Sequence, residues 1–196
     1  MQGAPPGRVR GRIDRGRGRH RQLPDSGRRG ARDVAHDPVD VGPLEHLVGQ
    51  QRGRELIELD PVAVDSAIRV TAFGGFLVAR QAAQRMVKQG HGTILFTGAS
   101  ASVKGYARSS SFAMGKFALR GLAQSLAREL QPQNIHVGHI VIDGGIAKDS
   151  DPRANERGPD GLLDPAAIAE SYYQLFRQPR SAWAWEIELR PWAENF

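Results

Sequence analysis

Residues 92–146 read GTILFTGASASVKGYARSSSFAMGKFALRGLAQSLARELQPQNIHVGHIVIDGGI, and the order of patterns within them decides the fold. Residues 93–97 (TILFT) form a short apolar run closed by Gly98, and residues 135–142 (IHVGHIVI) form another closed by Asp143, Gly144 and Gly145. Short β-rich runs that end in glycine and flank a helix are the pattern of strands in a parallel sheet. Between them Leu119, Leu122, Leu126 and Leu130 recur every three or four residues, while Arg120, Arg128 and Glu129 fall elsewhere around the helix. The unit therefore reads strand, amphipathic helix, strand. Ligands of open parallel sheets sit beyond the carboxyl ends of the strands, so the loops at 98–102 and 143–146 are expected to face one crevice.

Working outward, Asp60-Pro61 and Asp164-Pro165 carry the same helix-start signal, an aspartate N-cap with proline in the first turn. The first predicts a helix leading toward Val70, followed by a second amphipathic helix over 76–88 that Gly90 ends. The second predicts a helix over 166–177. The alternation in AWAWEIEL then predicts a last strand, with Trp183, Trp185 and Trp192 as packing residues rather than a substrate platform. Residues 148–161, charged and rich in Pro and Gly, are expected to form a mobile loop.

These residues resemble the short-chain dehydrogenase/reductases. The resemblance rests on ILFTGASAS, SSSFAMGKFAL, GLAQSLAREL and IHVGHIVIDGGI, the last standing where that family carries a Pro-Gly turn, and it runs over residues 56–196. It implies a partial, doubly wound, Rossmann-like α/β fold, NAD or NADP as cofactor, and hydride transfer with a small carbonyl or alcohol substrate. It also implies a homo-oligomer, built through a four-helix interface of the helix over 76–88 and the helix bearing Lys116. The alternative for those two helices is that they simply cover the sheet.

The same resemblance implies a tyrosine four residues before a lysine, a serine after the preceding strand, and an asparagine from an earlier helix. Lys116 occupies the lysine position, where it would hold a ribose hydroxyl, but the tyrosine position is Phe112. A phenol and an ammonium four apart share a helix face, and the cation lowers the phenol's pKa toward neutrality. Phenylalanine has no proton to give, and general acid–base catalysis is typically worth about 100- to 10,000-fold. The serine position falls on Ala99 or Ser100, of which only Ser100 offers a hydroxyl; the asparagine position is Thr71. Tyr106, in the intervening loop, is a candidate displaced phenol. Gly98, Gly144, Gly145 and Ile146 complete the candidate cofactor-binding set, the last three by backbone contact with a carboxamide. A non-catalytic scaffold or dimerisation partner is the competing function.

Residues 1–55 read differently. Their cationic residues are all arginines, from Arg8 to Arg54, and they have no sustained apolar period. Such a segment buries too little surface to offset its ordering entropy, which predicts disorder or loose attachment. An Arg/Gly arm on nucleic acid is an alternative, but no Phe, Tyr or Trp interleaves with the arginines to stack on bases, which weighs against it. No apolar strand followed by a glycine-rich turn precedes Leu56, so the pyrophosphate site implied by the resemblance has no counterpart there. The abrupt change at Leu56 is what a shifted reading frame or a wrong start would leave behind.

The chain has no cysteine, which excludes disulfides, thiolate catalysis and cysteine-based metal sites. No metal site is expected. No uninterrupted apolar run approaches the roughly 18 residues of a membrane span, so a cytoplasmic protein without a membrane anchor is the expectation.

Overall fold

The computed structural model describes residues 53–193. The expectation of disorder for residues 1–55 therefore lies outside the described residues except at its end. There the Gly53 N–H donates to the Arg108 carbonyl at 2.8 Å, and Glu55 pairs with Arg108 at 2.7 Å.

The Asp-Pro signals start two helices as expected. Asp60 accepts from the Val62 N–H at 3.0 Å ahead of α1 (Pro61–Ile68), and Asp164 accepts from the Ala166 N–H at 2.9 Å ahead of the helix Pro165–Phe176. The first helix does not break after Val70. It passes through a π-helical turn, Arg69–Phe73, directly into α2 (Gly74–Gln89), where the Gly74 N–H bonds the Arg69 carbonyl five residues back. Gly90 ends α2 in the left-handed region at φ 80°, where glycine carries no Cβ penalty.

Strand β1 (Gly92–Thr97) follows, then a 3-10 turn at Ser100–Ser102, α3 (Ser110–Leu130) and β2 (Ile135–Ile142). Residues 148–161, expected as a mobile loop, contain α4 (Arg153–Arg157). They are tethered by Arg153, which pairs with Asp151 and donates to the Ile146 carbonyl at 2.8 Å. Helix α5 (Pro165–Phe176) leads to β3, which is shorter than the AWAWEIEL alternation suggests, Glu186–Leu189.

The three strands are all parallel in the order β1-β2-β3, with Gly92 opposite Ile135 and His139 opposite Glu186. Every residue of β2 is buried, because strands flank both of its edges and helices cover both of its faces. On one face Phe96, Ile135 and Val137 meet Ala79 of α2 and Leu119, Ala123 and Leu130 of α3. On the other, Ile140 and Ile142 meet Leu175, with Ile168 and Tyr172 of α5 alongside. Gly138 lies where α5 presses closest, since a Cβ there would stand 2.9 Å from Leu175. Helices on both faces of a parallel sheet make this part of a Rossmann-like, doubly wound fold.

The helical run Pro61–Gln89 is long and apolar enough to cross a membrane by length and composition, although its apolar residues are interrupted by Asp65, Arg69, Arg80, Arg85 and Lys88. In the described residues it packs on α3 and β1. Trp183 packs as expected, stacked on His136 with ring centroids 4.8 Å apart, and Trp185 lies under Arg120. Trp192 does not, being 89% exposed.

Candidate active site

The β1 exit, the first turns of α3 and the β2 exit meet at the carboxyl end of the sheet. Lys116 lies in the second turn of α3 and donates from Nζ to the Thr97 carbonyl at 3.0 Å. Burial pushes its ammonium below the ordinary lysine pKa, and no carboxylate among the described residues compensates. Phe112 lies one turn earlier, with Lys116 Nζ 5.8 Å from its ring centroid. The pair thus forms a cation–π contact where the resemblance implies a phenol–ammonium pair.

Thr71 reaches the same place through the π turn. A Cβ on Gly115, the residue before Lys116, would stand 3.1 Å from the Thr71 Cβ, so α3 and this turn are in tight contact and any larger residue would push Thr71 by a few tenths of an ångström. Ser100 opens the 3-10 turn after β1, and its carbonyl accepts from the Val103 and Lys104 N–H groups at 3.0 and 2.9 Å. Ser102 is fully buried and accepts from the Ala99 N–H at 3.1 Å, which fixes the loop on which Ser100 is carried. Tyr106 is 50% exposed and lies beside Lys104.

The two loops are joined as the strand order requires. Buried Asp143 pairs with Lys104 at 2.8 Å and with Arg190 at 3.0 Å, linking the exits of β1, β2 and β3. The hydrogen bond to Asp143 holds the Lys104 pKa above its ordinary value. Asp143, in the place of the expected proline, is therefore a structural anchor.

Each of the three candidate glycines is closely packed on the side where a Cβ would stand. A Cβ on Gly98 would lie 2.4 Å from His139 Nε2, one on Gly144 2.4 Å from Pro191 Cδ, and one on Gly145 2.9 Å from Leu162 Cδ2. Ile146 is exposed and bridges to Leu163 in the following loop. A dinucleotide thus finds a fit at its nicotinamide-ribose end, in an undercompensated ammonium at a strand's carboxyl end. A glycine-rich strand-to-helix turn for its pyrophosphate has no counterpart among the described residues.

Three groups escaped the sequence reading. Tyr172 of α5 shares a 2.8 Å hydrogen bond with the Thr97 hydroxyl, and burial raises its phenol pKa. Arg120 holds Glu186 through two bonds of 2.6 and 2.7 Å, and Glu186 meets His139 Nδ1 at 2.9 Å. The third is the Lys104–Asp143–Arg190 linkage. The signal for the second lay in IHVGHIVI, where a histidine in a fully buried strand needs a polar partner. A groove of about 640 Å³ lies between α2 and α3, lined by Phe76, Val87, Leu126 and Leu130 among others, away from these groups. Among the described residues, no cluster of His, Asp or Glu is arranged to hold a metal.

Comparison with known proteins adds a family. The model of the short chain dehydrogenase family matches residues 32–156, beginning upstream of Leu56, where the sequence resemblance starts. "Short chain aldehyde dehydrogenase 1" of Euphorbia lathyris is 34% identical over 107 residues, 50% of this chain and 37% of that protein. A short-chain dehydrogenase of Rhodopseudomonas palustris superposes with a TM-score of 0.59 at 38% identity, covering 71% of this chain and 57% of the other. The fold also matches a 4-hydroxyisoleucine dehydrogenase complexed with NADH, at a TM-score of 0.63 and 19% identity over 72% of this chain and 63% of that one. The chain spans half the length or less of such curated relatives. The cofactor class that accompanies this family and fold is NAD(P).

Proposed function

Because the chain belongs to the short chain dehydrogenase family, we propose that it is an NAD(P)-dependent oxidoreductase acting on a small carbonyl or alcohol. The observation that carries this reading is Lys116, a half-buried ammonium at the carboxyl end of β1 that donates, among the described residues, to the Thr97 carbonyl. A ribose hydroxyl can share or take that ammonium. The bound nicotinamide would supply or accept the hydride. Ser100 would bond the substrate oxygen, and Thr71 would hold a water behind Lys116. With Phe112 in the phenol's place, the proton comes from solvent or from a displaced phenol such as Tyr106, and turnover is correspondingly slow.

The test is calorimetric titration of the folded chain with NADH and NADPH, followed by a carbonyl screen. Binding and slow turnover support the reading; a folded chain that binds neither nucleotide refutes it.

A second reading is a scaffold that assembles as a homo-oligomer. It is favoured by the apolar side chains left exposed on the helix layer, Phe73, Phe76 and Leu77 on one side and Met114 and Phe117 of α3 on the other. Sedimentation velocity distinguishes it: a dimer that binds no nucleotide supports the scaffold, and a monomer excludes it. The nucleic-acid arm lies outside the described residues; steeply salt-dependent RNA binding would be its signature.

A further inference from the structure

Phe96, His139 and Glu186 are opposite one another across the three strands, so their side chains leave the same face of the sheet, the face that α3 covers. His139 and His136 are the two polar residues of β2, and the His139 ring is fully buried. A carboxylate only accepts, so Nδ1 carries the proton donated to Glu186, at 2.9 Å. Glu186 in turn holds Arg120, four residues after Lys116 and eight after Phe112, on the same side of α3. At the other end of the ring, Nε2 has no hydrogen-bond partner among the described residues and abuts Gly98. Gly98 begins the loop carrying Ser100, and the carbonyl just before it, that of Thr97, holds Lys116. Contacts thus run from Gly98 through His139 and Glu186 to Arg120, and return to α3 one turn from Lys116.

We infer that His139 is a positioning residue of this site, its neutral ring fixing the Gly98 loop against the face of α3 that presents Lys116. The inference deepens the oxidoreductase reading and rests on it. With the proton on Nδ1, Nε2 presents only a lone pair to Gly98, and the close contact is tolerated. A second proton would place an N–H against the Gly98 backbone without an acceptor. The charged groups facing the ring are Glu186 from β3 and Arg120 and Lys116 from α3; β1 contributes only Phe96 and the Gly98 backbone. Burial and the two cations hold the ring's pKa below the ordinary histidine value, against Glu186, which raises it. Acidification is therefore felt first at Gly98.

The test is nuclear magnetic resonance of the full chain between about pH 8 and pH 5, following imidazole nitrogens and backbone amides, with NADH affinity measured over the same range. His139 is expected as the Nδ1–H tautomer at neutral pH, with the Gly98 amide shift following the ring's titration midpoint and NADH affinity falling about tenfold through it. His139→Gln, polar but non-titrating, should flatten both profiles. If that variant does not fold, Glu186→Gln should move both midpoints down together, because the carboxylate no longer favours the imidazolium. A Gly98 amide indifferent to the His139 titration overturns the inference, as does an affinity profile that survives His139→Gln unchanged. Titration of Gly98 with His139 in a chain that binds no NADH at any pH would sink the oxidoreductase reading while supporting the positioning of the loop.

Discussion

Restoring a phenol at Phe112 tests whether the α3 face is still built for acid–base chemistry. Lys116 Nζ is 5.8 Å from the Phe112 ring centroid. A phenolate charge at about that distance, in an effective dielectric of about 20, interacts with the ammonium by roughly 3 kcal/mol, or about two pKa units. Solvent at this half-buried position weakens the effect, so the phenol of Phe112→Tyr is expected to titrate about one to two units below the usual value near 10. Ultraviolet difference titration reads this without any cofactor, against the background of Tyr106, Tyr172 and Tyr173. Burial displaces Tyr172 in the opposite direction, which keeps the new transition separate. Adding Lys116→Met should return the new phenol to about 10 or above. If NADH or NADPH binds, carbonyl reduction should rise by about 100- to 10,000-fold, the usual worth of a positioned proton donor. A new phenol that titrates at the ordinary value with Lys116 in place would refute the argument that this helix face couples the two positions.

Gly98→Ala puts a Cβ 2.4 Å from His139 Nε2 in a buried contact, and should cost about 1–3 kcal/mol in urea unfolding, whereas Gly105→Ala, which meets no neighbour, should cost far less. Asp143→Asn removes the charge that Lys104 and half-buried Arg190 share, and a loss of about 2–4 kcal/mol in the same assay is expected. Stability should fall on acidification in two stages. The depressed His139 pKa makes the unfolded chain bind more protons below about pH 6.5, and the depressed Glu186 pKa adds a further loss below about pH 4.5. His139→Gln should abolish the first stage in urea titrations at stepped pH, and survival of that stage would exclude His139 as its source.

The fold was legible where short-range chemistry decides it. The Asp60-Pro61 and Asp164-Pro165 caps, the Gly90 terminus and the limits of β2 follow from local rules, and the structure places them where those rules do. The π turn at Arg69–Phe73 did not announce itself, because its sequence is compatible with an ordinary helix and the extra residue is set by packing on α3. In the site, the spacing of Phe112 and Lys116 was readable because both lie on one helix. The partners of His139, Asp143 and Thr97 were not. They come from α5, β3 and the strand exits, and alternation in AWAWEIEL gives no register against IHVGHIVI. Glycines 98, 144 and 145 look alike in sequence whether a cofactor or a neighbouring side chain requires them, and a Cβ at each would meet a side chain.

The placement of these groups in the sheet determines how the site should respond to disturbance. Strand β2 is buried along its whole length and pairs on both edges, whereas β1 pairs only with β2 among the described residues and keeps most of its residues half-buried. Lys116 is anchored to β1, the less supported strand, through a single carbonyl; His139 belongs to β2, the best supported. Local opening follows the density of buried contacts, so the β1 exit should exchange its amides well before β2 does. A ligand that gathers Lys116 and Ser100 would therefore act mainly by ordering β1. Hydrogen exchange with and without NADH provides the check: protection should rise over residues 97–104 and change little over Ile135–Ile142. Equal gains along β2 would mean that the nucleotide stabilises the whole domain rather than this loop.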